Sequence, residues 1–144
     1  MIEKAKSSDA AEVARLAICM WDSHTIAELT NDFESLISNE ENAVFLKYEN
    51  GNPIGFAQCS LRHDYVEGTE SSPVGYLEGI YIQEQFRSKG YAKELLAVCE
   101  LWAKEHNCTE FASDCELMNG VSIQFHLGLG FTEANRIVCF SKKI

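Results

Sequence analysis

In the stretch IYIQEQFRSKGYAKELL, Ile80 to Leu96, the residues Arg87, Ser88, Lys89 and Gly90 bring two cations beside a glycine. The run before them is apolar and strand-like, and the residues after them carry a helical pattern. Where a strand runs into a helix, successive backbone N–H groups point outward without partners. The helix dipole adds partial positive charge there, so phosphate is the natural occupant. Gly90 can adopt a positive φ and lets the backbone approach a ligand closely, while Arg87 and Lys89 can add charge-assisted bonds at the rim. A solvated basic loop containing a glycine is the plain alternative. The spacing R-x-x-G-x-A alone does not separate the two.

A second set of residues is acidic. Glu78 lies inside VGYLEGIYI, the most apolar strand candidate, and a charge there must face a cleft or a partner. Asp114 ends the stretch CTEFASD, and Asp64, Glu67 and Glu70 lie in the polar segment DYVEGTESSP. Carboxylates with a few flat side chains, such as Tyr65 and Trp21, suit a cationic ligand better than a greasy pocket would. Trp21 reads equally well as core, and Glu67 and Glu70 as solvated loop charges.

The elements that must position these groups follow from periodicity. Residues 2–6 form a short strand, and Ser7-Ser8-Asp9 offers N-cap chemistry to a helix with Val13, Leu16, Ala17, Met20 and Trp21 on one face. Ile26, Leu29, Phe33, Leu36 and Ile37 trace a second helix. AVFLKYE, NGNP and IGFAQCSLRH read as strand, turn and strand of a hairpin. VGYLEGIYI follows the polar loop as a central strand, and Tyr91, Leu95, Val98 and Trp102 mark a helix. CTEFASD reads as another strand, and FTEANRIVCFSKK supplies one or two more at the end. In VSIQFHLGLGF the alternation of Val121, Ile123, Phe125, Leu127 and Leu129 is a strand signal, yet Asn119-Gly120 and the later glycines fit a short capped helix as well. The order β-α-α-β-β-β-α-β-α-β is a mixed α/β domain, with helices covering a largely antiparallel sheet.

The 144 residues are expected to form one domain, 1–144, with no linker or repeat. Apolar residues make up 46% and charged residues 24%, an ordinary globular balance. No apolar run approaches the ~20 residues that span a bilayer, and the N-terminus lacks the apolar centre of a signal peptide. The expectation is a cytoplasmic protein without membrane attachment. Six scattered cysteines form no C-x-x-C pair, so reduced core thiols are expected rather than disulfides or a metal site. With 22 acidic and 12 basic residues the chain is formally −10, which opposes nucleic acid and is compatible with a cationic substrate.

The combination LEGIYIQEQFRSKGYAKELL resembles the acetyl-CoA signature of the GCN5-related N-acetyltransferases, a central strand followed by R-x-x-G-x-G/A and a helix. Arg87, Gly90 and Ala92 occupy the signature positions, and Asn119 and Gly130-Phe131 match further family positions. The resemblance implies that strand four splays from strand five and that acetyl-CoA lies in the opening. The backbone of Ile80, Tyr81 and Ile82 would hold its pantetheine arm. The turn Arg87, Ser88, Lys89, Gly90, Tyr91, Ala92 and Lys93 would hold its phosphates, with Asn119 as a further contact. It also favours a helix at about 120–129. Glu84 stands where the family commonly has proline.

SLRHDYVEGTESSPVGYLEGIYI, EFASD and the terminal FSKK resemble, more narrowly, the aminoglycoside 6′-N-acetyltransferases. By that resemblance Trp21, His24, Tyr65, Glu78 and Asp114 are contacts to the aminoglycoside, and the family's habits point to a homodimer. Asn135 replaces an acidic contact seen in relatives. Acetyl transfer needs a neutral amine, a polarised carbonyl and a proton for the leaving thiolate. An amine of pKa roughly 8–10 must lose a proton first. Asp114 and Glu78 are candidates for that base, although the same carboxylates favour the cation and so bind better than they deprotonate. Backbone N–H groups of a strand-four bulge can stabilise the oxyanion. His126 stands where many relatives have a tyrosine acting as acid, and it reads equally as a packed helix residue. No metal is required. A polyamine, another small amine or a protein amine remains an alternative acceptor, and a non-catalytic acetyl-CoA sensor is a more distant one.

Overall fold

AVFLKYE and IGFAQCSLRH are apolar runs that suit strands buried on both faces, and Asn50-Gly51 between them turns the chain with φ of 51° and 77°. Two consecutive positive φ values match the right-handed twist of a hairpin. In the computed structural model, which describes residues 1–144, this hairpin is β2 (Asn42–Glu49) and β3 (Asn52–Arg62). Around it stand β1 (Ile2–Lys4), β4 (Val74–Ile82) and β5 (Phe111–Ser113), in the spatial order β1-β2-β3-β4-β5. The first four are antiparallel neighbours. β5 runs parallel to β4 and pairs only Phe111, Ala112 and Ser113 with Gly75, Tyr76 and Leu77.

Helices cover both faces. α1 (Ala10–Ala17) and α2 (Ile26–Ile37) bring Val13, Ala14, Ala17, Leu29 and Phe33 against Val44, Leu46 and Phe56. α2 begins in a capping box, where Thr25 accepts from the Glu28 amide and the Glu28 carboxylate accepts from the Thr25 amide. α3 (Tyr91–Glu105) packs Leu95, Leu96, Cys99 and Trp102 against Ala43, Phe45, Ala57 and Cys59 on the other face. α4 (Gly120–Gly128) resolves the ambiguous alternating segment as a helix, capped by Asn119, whose side chain accepts from the Ser122 amide at 3.0 Å. No helix is long and apolar enough to cross a membrane.

A bulge interrupts β4. Gln58 pairs with Gly79 and Cys59 with Leu77, so Glu78 is the extra residue. Its effect is a change of phase. Leu77, Ile80 and Ile82 all lie on the α3 side, whereas unbroken alternation would have separated Leu77 from the other two.

Three expectations are corrected. FTEANRIVCFSKK forms no strand; residues 131–144 have no regular structure and, beyond Phe131, lie exposed, Phe140 at 92%. The apolar pattern there is real, but no edge of this chain's own sheet pairs with it. The face assigned to the first helix is cut short, because α1 ends at Ala17 and leaves Met20 and Trp21 beyond it. Of the six cysteines, all free, Cys59, Cys99 and Cys108 are buried as expected, while Cys19 and Cys139 are exposed and Cys115 is half-buried.

Candidate functional site

Because β5 stops at Ser113, β4 has no strand partner on that side beyond Leu77. The sheet opens there. At one end of the opening a 3₁₀ turn, Glu84–Phe86, leads into the segment before α3. Ser88 (φ 61°) and Gly90 (φ 84°) both take the left-handed conformation, which turns the chain into a concave run of amides. No backbone or side-chain acceptor in the chain bonds the amides from Ser88 through Lys93. A Cβ placed on Gly90 would meet no protein atom within 4 Å, so open space lies over the turn. An anion of phosphate type would fit such a turn.

The cations around it are employed unequally. Arg87 Nε donates to the Ile82 carbonyl at 2.9 Å, closing the turn back onto β4, while Lys89 and Lys93 are exposed. Beneath the first turn of α3, the buried Lys47 reaches Glu94 at 2.5 Å and lies 4.4 Å from the Tyr91 ring centre. Tyr91 in turn donates to Glu49 at 2.5 Å. These contacts bind β2 to the start of α3 and hold the turn from below.

At the other end are the carboxylates. The Ser60 hydroxyl donates to Glu78 Oε1 at 2.6 Å, and Arg62 donates to the same oxygen through Nε (3.2 Å) and Nη2 (3.0 Å). Nη2 also reaches Oε2 at 3.0 Å. The half-buried charge in the most apolar strand therefore has its partner within the chain. The guanidinium lies 3.4 Å from the centre of the Tyr76 ring, and the Tyr76 phenol donates to Asp114 Oδ2. Burial, then the bond to Asp114, pushes the Tyr76 phenol well above its ordinary range, so it stays a donor. Asp114 Oδ1 accepts nothing. Neither Arg62 nor Tyr76 was legible as a site residue, because their contact depends on a cross-strand register that sequence alone does not reveal.

Trp21 packs with the core and also borders a cavity. Its ring packs against Phe33 and Phe56 at centroid distances of 6.3 and 6.2 Å, and it lies so close over Gly79 that a Cβ there would come within 2.9 Å of the indole. With His24, Leu29, Asp32, Phe33, Leu36 and Gln58 it also lines a cavity of about 200 Å³. His24 stands 3.5 Å from Glu28. Tyr65 is 78% exposed and packs against none of these groups. Its loop is nevertheless held. Glu110 Oε1 accepts from the Glu70 and Ser71 amides, each at 2.9 Å, and from the Ser71 hydroxyl at 2.5 Å. The Ser71 hydroxyl, followed by these amides, keeps the Glu110 carboxyl below its usual range. Asn135 Nδ2 donates to Glu67 at 3.0 Å and so links the last segment to the same loop.

His126 bridges α4 and β5. Its Nδ1 must donate to the Ser122 carbonyl at 2.7 Å, which in the neutral ring leaves Nε2 to accept from the Ser113 hydroxyl at 2.7 Å. The ring packs between Phe125 and Phe131. Asn119 uses its side-chain oxygen as the α4 cap and keeps its amide nitrogen uncommitted.

An amide cradle at one end of a splayed pair of strands, and carboxylates at the other, suit a group carried on a phosphorylated arm and an amine that receives it. Residues 10–131 match the acetyltransferase (GNAT) family, and the chain belongs to it. The similarity is also narrower than the family. The chain is 41% identical over 125 residues, 87% of its length and 86% of the relative's, to the aminoglycoside N(6′)-acetyltransferase type 1 of Acinetobacter haemolyticus. It is 40% identical to the protein of the same name from Stenotrophomonas maltophilia, over 96% of this chain and 90% of that one. Among solved structures, AAC(6′)-Iy in complex with the bisubstrate analogue CoA-S-monomethyl-acetylneamine superposes with a TM-score of 0.95 at 35% identity, covering 100% of this chain and 98% of that one.

Proposed function

We propose that the protein transfers the acetyl group of acetyl-CoA to the 6′-amine of aminoglycosides, by direct attack in a ternary complex. The observation that carries this reading is the pairing, across one opening, of unbonded amides from Ser88 through Lys93 with the Glu78 and Asp114 carboxylates. The relatives' names supply the acceptor. The residues fit the co-substrate: the amides and Lys89 would take the phosphates, and the unpaired side of β4 from Ile80 to Ile82 would take the pantetheine arm as a strand-like partner.

Neutralising an ammonium costs about 1.4 kcal/mol per unit by which its pKa exceeds the pH. Asp114, with one oxygen uncommitted, is the better placed of the two carboxylates to orient the amine and receive its proton. Glu78, already paired with Arg62, shapes the site more than it binds. Backbone N–H groups at the Glu78 bulge would stabilise the oxyanion. His126 in its neutral form has no proton on Nε2 to give, so it serves the leaving thiolate only once protonated.

The exposed segment after α4 supports a second copy of the chain as partner. Its apolar residues Ile137, Val138 and Phe140 lie uncovered, and β5 is an unpaired edge of the sheet; a symmetric dimer would cover the one and pair the other. Such a protein would work in the cytoplasm, where acetyl-CoA is available. The test of the reaction is product analysis with kanamycin A or tobramycin. One acetyl group on the 6′-nitrogen by mass spectrometry and NMR is expected, and compounds with a 6′-hydroxyl should be inert. Turnover at another ring amine would refute the assignment.

A further inference from the structure

Arg62 is the last residue of β3, and Tyr76 lies on β4 opposite Ser60, so strand alternation places Ser60, Arg62, Tyr76 and Glu78 on one face. The contacts form a chain. Ser60 and Arg62 hold Glu78, Arg62 covers the Tyr76 ring, and Tyr76 holds Asp114. Tyr76 is 6% exposed, whereas Asp114 follows β5 on exposed backbone and has no other side-chain bond. We propose that Arg62 and Tyr76 are positioning residues of the acceptor site, which couple Glu78 and Asp114 into one fixed unit. The inference rests on the aminoglycoside reading given above.

The physical content lies in what each group has left to offer. Glu78 Oε1 is bonded by Ser60 and twice by Arg62, so the guanidinium is a resident cation that already answers this carboxylate. The carboxylate with free capacity is Asp114, and only the phenol fixes its direction. A planar guanidinium can bond Glu78 along its edge while its face covers the Tyr76 ring. An ammonium keeps the charge but cannot do both. Arg62 therefore acts through geometry as well as sign, and the amine of the acceptor meets an orientation rather than a diffuse negative field.

The experiment is steady-state kinetics with tobramycin and acetyl-CoA on Tyr76→Phe, Arg62→Lys, Asp114→Asn and the Tyr76→Phe/Asp114→Asn double variant, with thermal unfolding of each. Tyr76→Phe keeps the ring and the stack, so it preserves packing while removing one bond. Expected is a loss of about tenfold in kcat/KM for tobramycin in both Tyr76→Phe and Arg62→Lys, with KM for acetyl-CoA unchanged. The double variant should be no worse than Asp114→Asn alone. Losses under about twofold, equal losses for both substrates, additivity in the cycle, or full activity of Arg62→Lys would each overturn the proposal. If the wild-type protein does not acetylate tobramycin, the acceptor reading fails by itself. Unfolding then still decides the coupling: non-additive shifts for Tyr76 and Asp114 support it, and additive shifts refute it.

Discussion

Asp114 and Glu78 are both carboxylates of the candidate acceptor site, yet their surroundings differ. Asp114 has one bonded and one unbonded oxygen, whereas Glu78 is enclosed by Ser60 and Arg62. Charge-assisted bonds contribute roughly 1.5–3 kcal/mol, so Asp114→Asn should lower kcat/KM for an aminoglycoside about tenfold to a hundredfold, measured beside an unchanged acetyl-CoA affinity. Glu78→Gln should cost a similar amount, because it also strands the Arg62 guanidinium. Glu67→Gln should cost little. Glu110 offers a pH test. Its carboxyl lies below the ordinary value of about 4.3, so the hold it gives the loop is complete above that pH and is lost as pH falls through the lowered value. Amide exchange at Glu70 and Ser71 should accelerate in that acid range, and Glu110→Ala should show the fast exchange at every pH. Glu78 was legible in the sequence as a charge in an apolar strand, which demands a partner, whereas Asp114 was singled out through the family resemblance. The partner of Glu78 was not legible, because Arg62 meets it only through the register of β3 on β4.

Among the elements, the cradle at the start of α3 follows most directly from the chain. A strand, a glycine and a helical stripe place a helix start there, the resemblance favours the cradle over an idle basic loop, and Gly90 does adopt φ 84°. Gly90→Val should impose roughly 1–3 kcal/mol of backbone strain and put methyl groups into the open space over the turn. The free variant can relieve that strain by leaving the cradle geometry and the bound one cannot, so calorimetry should find acetyl-CoA affinity reduced roughly 5- to 150-fold, the range that 1–3 kcal/mol spans. The hairpin was legible for the same reason, since Asn-Gly between alternating runs has few other solutions. The bulge was not. VGYLEGIYI reads as one uninterrupted strand, and nothing in it marks Glu78 as the residue where the phase changes. Deleting Glu78 should therefore leave Leu77, Ile80 and Ile82 on the α3 face, because the shortened strand alternates without a change of phase, so the fold should survive by circular dichroism while the bulge and its carboxylate are lost together. The end of the chain misled for the opposite reason. RIVCF has the composition of a strand, but a strand also requires an edge, and pattern cannot say whether the edge belongs to the same chain.

At the scale of the molecule, exposed Ile137, Val138 and Phe140 together with α4, which has no buried residue, form a surface that is costly to leave in water. Sedimentation should find a dimer, and a chain ending at Glu133 should sediment as a monomer with its sheet intact by circular dichroism. The carboxylates at the mouth of the opening, in a chain of formal charge −10, also distinguish what enters from what leaves. Acetylation replaces an ammonium by a neutral amide, so the product departs with one positive charge fewer than the substrate brought. The field that gathers polycations from solution thus holds the product less firmly than the next substrate molecule. If these side chains hold the acceptor as proposed, entry and release depend on the same groups, and salt, which screens them, should erode that one-way preference along with the attraction itself.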